Sequence, residues 1–233
     1  MRENEVTVFL VHPDQPKAVT ERLARHLDAR EKQRAESMPD ASRRDRFVVA
    51  HGAVREIVAE RLGVQPAEIR WHEGPNGKPS LASDLRVNLS TGGAAALVAL
   101  TLHRDVGVDI EPLPSEQVAT SLAARHFPAA QARYVADGPD PEGVAARFTT
   151  LWSRKEACVK AHGGRLSQGM ALDVEGVTPV CVPFPPGAED GVVRVLDLPA
   201  PPNHRAAVAL IGAAPFDVLH RVWEPETEAG THG

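Results

Sequence analysis

Cysteine is nearly absent. Cys158 and Cys181 are the only two in 233 residues, too few for a disulfide framework, which points to a reducing compartment. Aromatic residues make up 4% of the chain, with a single tyrosine; that counts against a groove that stacks nucleic-acid bases. Positive charge is also short: the formal net charge is −5, so no bulk attraction to nucleic acid is expected. No apolar run approaches the ~18 residues that span a bilayer, so no membrane contact is expected. The N-terminus carries Glu3 and Glu5 where a signal peptide is basic. The expected location is the cytoplasm. Against 21 arginines stand five lysines: Lys17, Lys32, Lys78, Lys155 and Lys160. Lys155 and Lys160 fall in one of the two segments that look chemical, and Lys78 falls just after the Gly74–Gly77 turn.

Proline, by contrast, is plentiful at 20 residues, which excludes a coiled coil or long-helix protein. The length suits two lobes or one large domain with a sizeable core. Apolar spacing predicts helices over 20–34, 45–62 (ended by Gly63), 118–127, 129–136 and 142–162 (ended by Gly163). Apolar runs bounded by turns predict strands at 6–11, 69–72, 87–90, 94–102, 106–111, 172–177, 192–196 and 206–211. Gly74 to Gly77 reads as a tight turn. This is an α+β pattern, with boundaries expected at 1–105 and 106–223 and a frayed polar tail at 224–233. The run AALVALT at 95–101 is echoed by RAAVALI at 205–211, as two related lobes would show.

Two segments carry chemistry. In Val106-Gly107-Val108-Asp109-Ile110-Glu111 the period of two puts Asp109 and Glu111 on one strand face, roughly 7 Å apart. Oxygen-only ligands suit Mg²⁺ or Mn²⁺; a solvent-facing strand surface is the alternative. On the predicted helix, Phe148, Trp152, Lys155, Glu156, Val159 and Lys160 share one broad face. A capping box at Ser153 and Glu156, or a surface pair of Glu156 with Lys160, are the plainer readings. The ten histidines show no zinc-ligand spacing. Cys158 reads as core.

GVDIE (107–111) followed by WSRKEACVKA (152–161) resembles the signature of the 4′-phosphopantetheinyl transferase superfamily. Asn76-Gly77-Lys78-Pro79, Val87-Asn88-Leu89-Ser90, and Asp45-Arg46-Phe47 with Arg34 upstream resemble its supporting elements. The resemblance covers about residues 28 to 170, and the length points to the surfactin-synthetase-type group. It implies two similar α/β lobes in a pseudo-twofold arrangement, and a monomer. The implied reaction is Mg²⁺-dependent (or Mn²⁺-dependent) transfer of the phosphopantetheine arm of coenzyme A to a serine of an apo acyl or peptidyl carrier protein, releasing 3′,5′-ADP. Such carriers serve fatty-acid, polyketide and nonribosomal-peptide systems.

The resemblance also implies roles. Asp109, Glu111 and Glu156 would hold the metal. Glu156 is the candidate base, and Asp109 and Lys160 complete the catalytic set, with Lys160 on the pyrophosphate. Arg34, Arg46, Lys78, Ser90, Thr91 and Lys155 would contact the coenzyme. Candidate carrier-docking surfaces are the basic stretch 22–46 and the apolar residues after Pro112. One departure stands out. The family commonly has His-Ser after N-L-S, whereas this chain has Thr91-Gly92-Gly93. Arg165 likewise replaces a glycine after the helix. Two other functions fit parts of the pattern: a metal-dependent phosphodiesterase or nuclease, and a non-catalytic protein that binds coenzyme A or a carrier.

Overall fold

A computed structural model describes residues 2, 4–184 and 191–225; of the expected tail, 226–233 lie outside the described residues. The chain forms two four-stranded sheets packed face to face, each covered on its outer side by helices. The first sheet runs β10-β1-β5-β4, from β1 (Glu5–Val11), β4 (Leu85–Gly92), β5 (Ala95–Leu102) and β10 (Asp217–Val222). The second runs β6-β9-β8-β7, from β6 (Val106–Pro112), β7 (Val180–Pro183), β8 (Val192–Leu198) and β9 (His204–Ile211). A two-stranded ribbon, β2 (His72–Glu73) with β3 (Pro79–Ser80), frames the predicted turn. The α+β class expected from the sequence is the class observed.

Strand alternation builds three apolar layers. Val6, Val8, Leu97 and Ala99 of the first sheet meet Val106, Val108, Ile110, Ala206 and Val208 of the second. The opposite face of the first sheet, with Phe9, Val11, Val98 and Leu100, packs on α1 (Lys17–Ala24), α2 (Ala29–Glu36) and α3 (Ala41–Leu62). The outer face of the second sheet packs on α4 (Glu116–His126), α5 (Ala129–Ala136) and α6 (Pro141–His162); α7 (Leu166–Gly169) follows. Both echoed runs land on interior strands, β5 and β9, and β1-β5-β4 has the same antiparallel pairing as β6-β9-β8.

Several expectations need correction: of the strand expected over 69–72 only His72 falls in one, β2, and β7 was not expected. The helix expected over 20–34 is two helices. Asp28 caps the second, accepting from the N–H groups of Arg30 and Glu31 while Glu31 bonds back to the Asp28 N–H; this capping box starts a new helix. The strand expected over 172–177 is absent, because its carbonyls go to side chains. Leu172 accepts from Gln131 and Lys155, and Val174 and Gly176 accept from Arg154, which satisfies the backbone without a ladder. Finally, β10 was not expected, and it lies beside β1 in parallel pairing although it falls within the segment assigned to the second lobe. Trp223, just after it, is buried in the core under α1 to α3.

The sheets also meet edge to edge. Strands β4 and β6 run alongside each other without a ladder. Instead Asn88 Oδ1 accepts from the Val108 N–H at 2.9 Å, and Ser90 Oγ accepts from the Ile110 N–H at 3.4 Å. Side chains of β4 thus satisfy the outward N–H groups of β6, an edge that would otherwise be unpaired.

Candidate active site

The carboxylates stand along this seam, with Asp109 between the two N–H groups that form it. Asp109 is fully buried, and Glu111 and Glu156 are half-buried. The reason α6 comes so close is Gly107. A Cβ there would overlap the Ala157 carbonyl oxygen and the Ala161 nitrogen, so only glycine lets the helix backbone rest on the strand. That contact lays Glu156 and Lys160 over Asp109.

Lys160 links the group. Its ammonium donates to Asp109 Oδ1 at 2.6 Å and to Ser90 Oγ at 3.0 Å, and lies 3.6 Å from Glu156. The Ser90 hydroxyl also donates to Asp109 Oδ1 at 2.8 Å. Burial pushes Glu111 up to about 7, with Asp109 and Glu156 adding to the effect and Lys160 opposing it. Glu156 is also raised, first by burial and then by Asp109, against Lys160 and the Trp152 indole. Burial works against the charge on Lys160, yet Asp109, Glu156 and Glu111 together hold its pKa above the ordinary lysine value. Three carboxylates and one ammonium therefore share a poorly solvated space, with negative charge in excess.

Does this set fit a hard divalent cation? Among the described residues no three acidic, His or Cys side chains stand close enough to hold an ion as they are. Yet Asp109 Oδ2 is buried with no hydrogen-bond partner, an orphaned acceptor of the kind that a cation would satisfy. The neighbouring donors are all carboxylate oxygen, which selects Mg²⁺ or Mn²⁺. The residues fit.

The other expected coenzyme contacts scatter. Lys155 is fully buried on the far side of α6. It donates to the Met170 and Leu172 carbonyls at 2.7 and 2.5 Å and sits over the Phe127 ring. Burial brings it down to about 8, with Asp173 opposing. The broad helix face thus divides. Phe148, Lys155 and Val159 turn to the core, and Glu156 and Lys160 turn to the site. Lys78 donates to the Ala161 carbonyl at 2.6 Å, not toward the carboxylates. Arg34 stacks over Phe47. Arg46 is forked onto Asp14 at 2.6 and 3.1 Å, so neither arginine touches the carboxylate group. Thr91 is exposed. Gly92 is buried, and a Cβ there would overlap the Ile110 carbonyl.

Sequence reasoning missed three contributors. Asn88 stands out in the sequence only as part of a motif, although it zips the seam. Trp152 shares the helix face in the sequence, and its indole also lies near enough to Glu156 to oppose the rise in that carboxyl's pKa. His204 was not considered; it opens β9 opposite Pro112, and its Nε2 lies 3.1 Å from the Gly92 carbonyl oxygen. Nothing in the local sequence around 204 marks it, because its neighbour arrives from 112 residues away.

A strand and a facing helix thus present buried carboxylates and a lysine at the joint of two sheets, a donor set suited to a cation and phosphate oxygens. The comparisons agree. A family model described as the 4′-phosphopantetheinyl transferase superfamily matches residues 105–182. The 4′-phosphopantetheinyl transferase HetI of Nostoc sp. is 31% identical over 73% of this chain and 74% of its own length. The 4′-phosphopantetheinyl transferase AcpT of Escherichia coli K12 is 31% identical over 59% of this chain and 68% of its own. A putative 4′-phosphopantetheinyl transferase of Synechocystis, slr0495, is 28% identical over 62% of this chain and 60% of its own. The chain belongs to the 4′-phosphopantetheinyl transferase superfamily, and with it to a class of enzymes.

Proposed function

We propose that this enzyme transfers the 4′-phosphopantetheine arm of coenzyme A to a serine hydroxyl of an apo carrier protein, with release of 3′,5′-ADP. The observation that carries the reading is the buried group of Asp109, Glu111, Glu156 and Lys160 at the β6–α6 contact, in a member of this superfamily. Asp109, Glu111 and Glu156 would hold Mg²⁺ or Mn²⁺. Such an ion, when bound, supplies charge neutralisation at the diphosphate. Lys160 is a cation that stays protonated, suited to the diphosphate oxygens as charge develops on the leaving group. Glu156, whose pKa is raised by burial, is the better candidate base for the serine proton; Asp109, locked by Ser90 and Lys160, is the worse. Ser90 fixes Asp109 and is given a positioning role here.

The nucleotide end of the coenzyme is assigned to Arg34, Arg46 and Thr91. Lys155 is left out, since its ammonium is spent in the core. The repeated strand order supports the pseudo-dimeric, surfactin-type arrangement, a two-lobed division near residue 105, and a monomer. A cytoplasmic location is proposed on cysteine usage; among the described residues no helix is long and apolar enough to cross a membrane. The carriers would belong to fatty-acid, polyketide or nonribosomal-peptide systems. The test is incubation with coenzyme A, Mg²⁺ and an apo carrier protein. A mass gain of about 340 Da on one serine is expected, the covalent signature of the transferred arm. A carrier of unchanged mass across several carrier types would reject the reading.

A further inference from the structure

We propose that the turn carrying Asn76 and Lys78 is a positioning device for the catalytic helix: it docks on the last turn of α6 and fixes Lys160 at Asp109. The inference rests on the function proposed above for Lys160. A helix ends with carbonyls that have no partner within it. At the end of α6, Gly163 turns left-handed (φ 72°), and the N–H groups of Gly163 and Gly164 both return to the Val159 carbonyl at 2.9 and 3.1 Å. The Ala161 and Gly163 carbonyls are capped from the other half of the chain. Lys78 donates to Ala161 O at 2.6 Å, and Asn76 Nδ2 donates to Gly163 O at 3.0 Å.

The cap is itself braced. Gly74 and Lys78 close the turn, N–H to carbonyl, at 2.9 Å. Arg165 donates to Asn76 Oδ1 at 3.3 Å, so the residue that departs from the family pattern after the helix contacts this turn. The Lys78 stem lies against Gly163, where an added Cβ would come within 3.2 Å of Lys78 Cδ. Asp105, one residue before β6, lies 3.6 Å from the Lys78 ammonium. A cation at a helix C-terminus is favoured by the helix dipole. Ala161 directly follows Lys160. A bond to its carbonyl therefore fixes both the height and the rotation of the turn from which Lys160 reaches Asp109 and Ser90. Lys78 thus acts on Lys160 through α6.

The experiment uses the full-length protein and the variants Lys78→Met and Asn76→Ala. It reads kcat on an apo carrier, the Kd for coenzyme A by calorimetry, and amide exchange in the last turn of α6. The expected result is a kcat about tenfold lower in Lys78→Met and a few-fold lower in Asn76→Ala, since small misplacements are costly in rate. The Kd should stay within about twofold, because both side chains act through the last turn of α6. Exchange at Gly163 and Gly164 should accelerate in both. A Kd that rises with kcat retained would overturn the proposal and make Lys78 a coenzyme ligand; unchanged kcat and exchange would also overturn it. Asn76 is exposed, so its variant decides the matter if Lys78→Met does not fold. If the wild-type protein transfers nothing, the proposed function fails, and the exchange measurement still decides the docking.

Discussion

At the scale of single residues, the site turns on Asp109. It is buried, it is held by Ser90 and Lys160 through one oxygen, and its other oxygen has no partner. Asp109→Ala is expected to lower transfer at least a hundredfold, the order found when one preorganised electrostatic group is removed. Circular dichroism should be unchanged, since neither sheet depends on this side chain for its ladder. A binding readout separates the metal from the chemistry. Mg²⁺ should raise the melting temperature of the wild-type protein, as any ligand of the native state does, and should fail to raise it in Asp109→Ala; an equal rise in both would remove Asp109 from the ion's ligands. Spacing alone placed Asp109 and Glu111 on one face of a strand. It did not separate Lys155 from Lys160. The two differ by about 140° around the helix, and only the packing of α6 on the sheet decides which of them faces a core and which a cleft.

At the scale of elements, glycine sets one contact and a buried ion network sets another. Gly107→Ala would drive a methyl group into the backbone of α6. The expected cost is about 2–3 kcal/mol, typical of overpacking, with transfer falling because Glu156 and Lys160 move with the helix. Urea unfolding alongside a carrier assay checks both. In the first half, Arg55 is fully buried and donates to Glu31 and Asp28 at 2.7 Å each, tying α3 to the cap of α2. Burial alone would raise the Glu31 pKa, but His51, the Asp28 N–H and Arg55 outweigh it, and the net shift is downward. Its contribution is thus full above the unfolded carboxyl value and is lost as pH falls through the lower folded value. Stability should drop on acidification below about pH 4.3, where an unfolded glutamate takes up its proton. In Glu31→Gln that acid-side slope should be shallower, measured as urea midpoints against pH. The long helices α3 and α6 were legible because apolar spacing and a closing glycine mark them. The α1–α2 break was not, because charged residues continue through it and only the capping box of Asp28 and Glu31 interrupts the spiral.

At the scale of the whole molecule, the tenth strand comes back to the first. Strand β10 returns to pair with β1, and Trp223 fills the core beneath α1 to α3 at 7% exposure. Trp223→Ala is expected to cost about 3–5 kcal/mol, the range for a large aromatic in a core, and to lower the midpoint of the whole unfolding transition. Loss confined to the last strand, with the remainder unfolding as before, would show that the two halves are not one cooperative unit. The return was invisible in the sequence. Asp217–Val222 is short and mostly exposed, so it has no alternation to announce it, and its partner lies more than 200 residues upstream.

The sequence by itself determined the class of fold, the two apolar strands that echo each other, and the shared strand face of Asp109 and Glu111; its resemblance to a family singled out Glu156 and Lys160. The first three follow from local periodicity, which needs no partner to be read. The tertiary structure alone decided that Asn88 and Ser90 seal one sheet edge to another, that Lys78 caps a helix 83 residues away, and that Lys155 is core. Each of these depends on which face meets which neighbour across the chain. That choice is made by packing and by the need to pair every buried polar group, and no local pattern encodes it.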